Sequence, residues 1–224
     1  MRVSQGEFGG INIDLRHGDS LAAVPETHAE LLSDELRHVF RDPIGHMKEV
    51  ASRCIFPSLR KWLVALAAEG NWTLRLFADV PFWSDAGIVW ESRIVRGAFI
   101  RSSIETPLTQ QYPNDLLAYF SCVDGVDWNG LGAAGSIFGR KSPQALSTIC
   151  GRLADETIDP STTFLFGNSP CGDYMIWTSD GRAGWIEIAS KQTHLLGSVA
   201  DTINWVYSEL CLNRPPGWKN EWFV

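Results

Sequence analysis

Two side chains in the sequence have the chemistry of a nucleophile and its base: Cys171, in the loop Asn168-Ser-Pro-Cys-Gly-Asp173, and His194. A cysteine nucleophile needs a thiolate-stabilising environment and an imidazole within hydrogen-bond reach. Spacing supplies both residue types without fixing their separation, so a small hydrolase using Cys171 and His194 stands as an alternative reading. It predicts that Cys171 alkylates much faster than Cys54 or Cys211. Acid/base work by paired carboxylates needs a raised pKa in at least one member. Asp173, Glu187 and Asp201 are the positional nominees. Asp173, directly after Gly172, is expected instead to bind nearby backbone N–H groups and fix a turn. His17, His28, His38 and His46 read as exposed polar positions, with His46 in a connecting turn.

Metal and cofactor chemistry finds little to build on. The five cysteines (Cys54, Cys122, Cys150, Cys171, Cys211) lie far apart, with no CxxC pair and no Cys/His cluster. Neither a zinc site nor a disulfide framework is expected. No HxxxH pair, phosphate loop or GxSxG elbow is present. Asp124, Asp127 and Asn129 offer three oxygen-bearing side chains, but a calcium loop needs a different spacing and a distant bidentate Glu. No metal and no cofactor is therefore expected.

Charge narrows the partners. The chain carries 19 Lys+Arg and 26 Asp+Glu, net −7, with a pI near 5.2 and no basic run. Phosphate-driven nucleic-acid binding needs a cationic face, so no direct nucleic acid is expected. Residues 113–224 hold seven basic and twelve acidic side chains, net −5, against net −2 for residues 1–112. A basic protein partner would be drawn to the second half. The exposed-loop acids Asp124, Asp127, Asp155, Glu156 and Asp159 are the first contact candidates. No signal peptide and no membrane span of about 18 apolar residues is evident, so a cytoplasmic chain with no membrane partner is expected.

The 224 residues, 24.9 kDa, can remove about 70% of the unfolded chain's surface from water, enough for a core without staples. Residues 1–24 are Gly-rich and read as an extended N-terminal arm. Pro25 opens a helix with Ala29, Leu32, Leu36, Val39 and Phe40 at helical spacing, ended by Pro43 and Gly45. A second helix runs from Pro57 to Gly70 with Leu59, Trp62, Leu63 and Leu66 on one face. Alternation predicts a strand over 72–80 and two short strands, or one bent one, over 87–100. Pro113 starts a helix with Leu116, Leu117, Phe120 and Val123 facing inward, stopped by Asp124-Gly125. Residues 124–135 read as an irregular loop. Ser142-Pro143 caps a helix burying Leu146, Ile149, Cys150 and Leu153. Strands follow at 163–166, 173–178 and 183–188, the last two joined by the Asp180-Gly181 turn. Ser198 caps a final helix, with Asp201 at the capping-box position and Val199, Ile203, Val206 and Leu210 inward. If the hairpin packs on that helix, Trp177, Trp185 and Trp205 are core. Trp218 and Trp222, beyond Pro215-Pro216, fold back or anchor a partner.

The order of the pieces in the second half is informative. Tyr112-Pro-Asn-Asp-Leu-Leu-Ala-Tyr-Phe120 leads to Asp124-Gly125. Phe166-Gly-Asn-Ser-Pro-Cys-Gly-Asp-Tyr174 follows, then the Asp180-Gly181 hairpin and a capped helix beginning Ser198-Val-Ala-Asp-Thr-Ile. This succession resembles the SUKH superfamily, which includes fungal cell-wall-assembly regulators and many bacterial toxin-immunity proteins. Tyr112 stands where the family has leucine, and Asp124 where it has asparagine. Gly125, Gly172, Asp173, Asp180, Gly181 and Ser198 are the motif positions. The resemblance implies an α+β fold with a mixed, largely antiparallel sheet flanked by helices, a single domain with an N-terminal elaboration. Residues 1–24 would be the arm, 25–106 the first helices and strands of that domain, 107–212 the SUKH-like core and 213–224 a Trp-containing tail. It also implies a non-catalytic binding protein, an immunity protein that neutralises a cognate toxin, often a nuclease, by direct contact. A regulatory scaffold recruiting through Trp218 and Trp222 is a further alternative. The oligomeric state is left open by these patterns.

Overall fold

The computed structural model describes residues 2–5, 11–16, 42–69, 73–78, 87–91, 96–101, 112–129, 134–137, 144–168 and 172–211. The helix expected between Pro25 and Phe40 lies outside them. Four α-helices are described: α1 (Pro43–Arg53), α2 (Pro57–Glu69), α3 (Asn114–Phe120) and α4 (Val199–Cys211). The class is α+β, and the described strand pairings are antiparallel.

In the Gly-rich first segment, β1 (Arg2–Gln5) pairs with β2 (Ile11–Arg16), and β2 with β3 (Thr73–Ala78). The larger sheet begins with β4 (Gly87–Glu91) and β5 (Arg96–Arg101), the two short strands that alternation suggested. Next come β6 (Asp124–Asn129) and β7 (Ala134–Ile137). Here the expected irregular loop is corrected to a hairpin, with Val126 opposite Ile137 and Trp128 opposite Gly135. The period-2 placement of Val126 and Trp128 outweighs the glycines, two of which, Gly125 and Gly135, lie within the strands themselves.

Strand β9 (Thr163–Asn168) is the centre of the second half. One of its edges is shared end to end by β7 and the short β8 (Gln144–Ala145). Its other edge carries β10 (Tyr174–Thr178), followed by β11 (Ala183–Glu187) and the edge strand β12 (Gln192–Gly197). Strand β12 was not anticipated. The helix expected to follow Ser142-Pro143 is also corrected. After β8 the chain makes a single 3₁₀ turn, Leu146–Thr148, and continues irregularly. Pairing of Gln144 and Ala145 with β9 takes the backbone out of helical geometry. Asx turns at Asp155 and Asp159 occupy backbone donors further on. Leu146, Cys150 and Leu153 are still buried, whereas Ile149 is exposed.

Strands β9, β10 and β11 are covered on both faces, which is why β10 in particular reads as a near-continuous apolar run. One face carries Phe166, Met175, Trp177 and Ala183 against Met47, Val50, Leu59, Trp62, Leu116, Tyr119, Ile203 and Val206 from the four helices. On the other, Leu165, Ile176 and Ile186 meet Leu146, Cys150, Leu153 and Ile158 of the irregular segment. Each such side chain contributes roughly 1.5–3 kcal/mol on burial.

Local signals set the helix ends. Asp42 caps α1 by accepting from Gly45 N at 2.8 Å, with Pro43 in the first turn. Pro43 thus begins a helix, and His46, expected in a turn, sits half-buried within it. Asn204 of α4 accepts from Ser58 N at 3.1 Å, closing the first turn of α2. Ser198 and Asp201 form a reciprocal box: Asp201 Oδ2 accepts from Ser198 N at 2.8 Å, and Ser198 Oγ accepts from Asp201 N at 3.2 Å. Asp115 of α3 adds Oδ2 to Ala200 N at 3.1 Å, so a second carboxylate meets the positive end of α4.

Gly184 marks a close approach of two strands. The register slips between Ala183 and Gly184, and a Cβ there would lie 2.0 Å from the His194 backbone oxygen. Only glycine lets β12 reach β11 at that point.

Candidate functional site

Two polar constellations stand out, one on each face of the sheet. The first lies in the irregular segment that covers the Leu165, Ile176 and Ile186 face. Asp155 Oδ1 accepts from Thr157 N (2.9 Å) and Thr157 Oγ1 (2.7 Å). Asp159 repeats the arrangement with Ser161 N (2.8 Å) and Ser161 Oγ (2.7 Å). The Thr157 and Ser161 hydroxyls, with the backbone N–H groups beside them, hold both carboxyls below the ordinary value of 3.8. Both are therefore fully ionised at neutral pH. Between them, Glu156 lies 3.1 Å from Arg152 in an exposed pair that contributes little to stability. The segment is tied down by Ser147 N to Pro160 O (2.9 Å) and Ala154 N to Lys191 O (3.0 Å).

The second constellation is on the helix-facing side near the β12 edge. Trp185 stacks on His194 across the strand pair, with centroids 4.9 Å apart, and on Trp205 of α4 at 5.2 Å. Glu187, buried, accepts from Ser190 Oγ at 2.8 Å and meets His194 Nε2 at 3.1 Å. The carboxylate fixes the imidazole's orientation. Because the Ser190 hydroxyl donates to Glu187 and not to His194, these three residues do not make a nucleophile–base relay. Glu187 and His194 entered the sequence reading separately. Glu187 stands opposite Gln192 and His194 opposite Trp185, so the two meet diagonally across β11 and β12, which becomes visible only once β12 is known to be a strand.

The remaining nominated residues separate as follows. Asp124, Gly125 and Asp127 fall on β6, with Asp124 opposite Arg101 and Asp127 opposite Phe99 and Ser136. They belong to a paired strand and not to the solvated loop expected for them. Gly172 has φ +86°. Asp173 is buried and accepts from Ile188 N at 3.0 Å, joining the start of β10 to the end of β11. Asp180 accepts from Thr178 Oγ1 and from Arg182 Nε (2.7 Å), and its carboxyl is held below 3.8 chiefly by the Thr178 hydroxyl. Gly181, φ +87°, completes a three-residue hairpin loop. Cys171, Trp218 and Trp222 lie outside the described residues.

Among the described residues, no group of three or more His, Cys, Asp or Glu side chains converges as a metal site. No described helix is long and apolar enough to cross a membrane. Comparison with known proteins found no matching family model, no matching curated protein and no matching solved structure.

Proposed function

We propose that this chain is a non-catalytic binding protein of the immunity type, which neutralises a basic toxin domain of the nuclease class by covering its cationic surface. The observation that carries the reading is the pair of Asx turns at Asp155 and Asp159, flanking Glu156. Each turn fixes a carboxylate that stays ionised, so little side-chain entropy remains to be lost when a cationic partner docks. The net −5 of residues 113–224 adds long-range attraction, which raises the association rate more than the final affinity. The succession of motifs that resembles the SUKH superfamily supports the same reading. In this reading Asp173, Asp180, Gly181 and Ser198 build the scaffold, and the acidic segment makes the contact.

The experiment is a binding titration between the purified chain and the basic C-terminal domain of a toxin encoded beside its gene, at 50 and 300 mM salt. Association should weaken at least tenfold at the higher salt. Reversing Asp155, Glu156 and Asp159 together to Lys should abolish it with the circular dichroism spectrum unchanged. Salt-independent binding, or full affinity in the reversed variant, would refute the acidic-surface mechanism. Reversing Asp124 and Asp127 in a separate variant asks whether the β6 acids take part.

A further inference from the structure

We propose that the corner joining α1 to α2 is a docking surface for the acidic 149–159 segment of a second copy of this chain, so that copies associate head to tail. The geometry of the corner sends one apolar side chain outward. Cys54 ends α1 in extended backbone, and Cys54 and Phe56 are both buried in the helix-side core. In an extended stretch successive side chains point to opposite sides, so Ile55 between them is sent into solvent. It is 61% exposed, the most exposed large hydrophobic among the described residues. Arg60 Nε and Nη2 both donate to Cys54 O, the first at 3.1 Å, which holds the guanidinium beside Ile55.

Cations and a second apolar side chain continue this surface along α2. Val64, 51% exposed, stands three residues beyond Lys61 and four beyond Arg60, the spacing of neighbours on one helix face. Lys61 is exposed, as is Arg53 at the end of α1. Residues 48–61 hold four basic side chains, Lys48, Arg53, Arg60 and Lys61, against Glu49, a net +3 within a chain of net −7. Glu49 lies 3.6 Å from Arg53 in an exposed pair. Solvation of this corner and this helix face would be served by polar residues. Two branched aliphatic side chains set among guanidinium and ammonium groups instead fit an acidic surface that carries apolar area of its own.

The chain itself carries such a surface. On the opposite face of β9–β11, the irregular segment leaves Ile149 38% exposed. The bond from Ser147 N to Pro160 O sets the 3₁₀ turn that ends at Ile149 alongside Asp159. Residues 149–159 hold Asp155, Glu156 and Asp159 against Arg152, net −2. Bringing the two surfaces together pairs aliphatic with aliphatic and cation with carboxylate. The sheet stands between them, so one copy cannot join its own corner to its own segment. A contact with one neighbour leaves the second surface of each copy available for another, which makes the interface heterologous and the assembly chain-like. This inference goes beyond the proposed binding role and does not rest on it, because the corner takes no part in that role.

The test is sedimentation velocity of the full-length chain over a range of concentrations at about 50 and about 500 mM salt, which differ about threefold in screening length. At the lower salt the weight-average sedimentation coefficient should climb with concentration; at the higher salt the chain should sediment as a monomer. Arg53→Glu combined with Lys61→Glu should weaken association by about tenfold or more, and Ile55→Ser combined with Val64→Ser should do the same, with circular dichroism spectra unchanged. Glu156→Lys should weaken it severalfold from the other side. The chain with Asp155, Glu156 and Asp159 all reversed to Lys should not associate alone. Mixed in equal amounts with the Arg53→Glu, Lys61→Glu chain it should, because each reversed surface then meets one of opposite sign. A monomer at every concentration and both salts would overturn the proposal. So would association that survives the corner substitutions, which would assign it to another surface, or a mixture of folded reversed chains that stays monomeric. The corner substitutions and Glu156→Lys decide the matter even if the triple reversal does not fold. The corner substitutions also leave the acidic segment intact, so their result is read separately from the toxin titration.

Discussion

Gly184→Ala tests the sheet geometry most directly. The new methyl carbon would fall 2.0 Å from His194 O and 2.9 Å from both His194 C and Leu195 Cα. All three are backbone atoms of β12, so no flexible side chain can swing aside. Restoring an ordinary contact requires the edge strand to retreat by more than an ångström over at least two residues. Overpacking of this kind costs roughly 1–3 kcal/mol, and one disrupted ladder hydrogen bond adds about 1 kcal/mol, for a total of about 2–4 kcal/mol. In a chain of this size the melting temperature should fall by about 5–15 °C. Retreat of β12 also separates His194 from Trp185 and Glu187, so the near-ultraviolet dichroism of the stacked indoles should weaken. Two other glycines calibrate the series. Gly181→Ala meets open space but holds φ +87°, which costs an alanine about 1–2 kcal/mol. Gly151→Ala meets open space without that strain and should be neutral. Thermal melts of the three variants should rank Gly184 as worst, Gly181 as intermediate and Gly151 as wild-type-like. A Gly184→Ala melt within 2 °C of wild type would refute the close approach of β11 and β12.

Trp177→Ala removes a buried ring stacked on Phe164 at 5.3 Å and touching Tyr112 and Phe166; urea titration should show a loss of about 3–5 kcal/mol. Asp201 is held below its ordinary 3.8 by the Ser198 N–H and then the Ser198 hydroxyl. Its contribution is therefore fully present above pH 3.8 and is lost as pH falls through the lowered native value. Asp201→Ala should cost about 0.5–2 kcal/mol at neutral pH, and its deficit against wild type should shrink in acid titrations followed below pH 3.8.

What could be read from the sequence depended on whether a signal was local. The Ser198–Asp201 box, the Asp180-Gly181 turn and the apolar positions Leu59, Trp62 and Leu63 of α2 and Val199, Ile203 and Val206 of α4 are each written within a few residues, and each is found in place. Residues 144–158 misled because Leu146, Cys150 and Leu153 are spaced as on a helix. That spacing reports burial, which β9 and β10 satisfy without a helix. The β6–β7 hairpin was obscured by its glycines, although Val126 and Trp128 already alternated. For β12, Gln192 to Gly197 has weak alternation and sits at an edge. Its strand character comes from pairing with β11, a tertiary fact. The meeting of Glu187 with His194 is of the same kind. No spacing rule brings together residues that only the packing of separate elements makes neighbours.

The two faces of the β9–β12 sheet divide the chemistry in a way that follows from what covers them. Four helices seal one face, and polar groups there are matched to one another: Tyr119 to the buried Tyr207, and the buried Glu187 to His194 and Ser190. Changes of charge at that face act first on stability, because any new charge must be accommodated among buried neighbours. The opposite face is sealed by an irregular segment whose inward side chains are Leu146, Cys150, Leu153 and Ile158 and whose outward ones include Glu156 and Asp159. An irregular segment leaves backbone donors to be satisfied locally, and Asp155 and Asp159 do so through Thr157 and Ser161. The same hydrogen bonds that replace a helix therefore keep the outward carboxylates charged and fixed. In the proposed binding role, outward residues are free to change while the inward apolar set keeps the sheet covered. Charge reversal at Glu156, which holds only the exposed Arg152 pair, should accordingly alter binding without altering the melt, the opposite of what Trp177→Ala and Gly184→Ala produce.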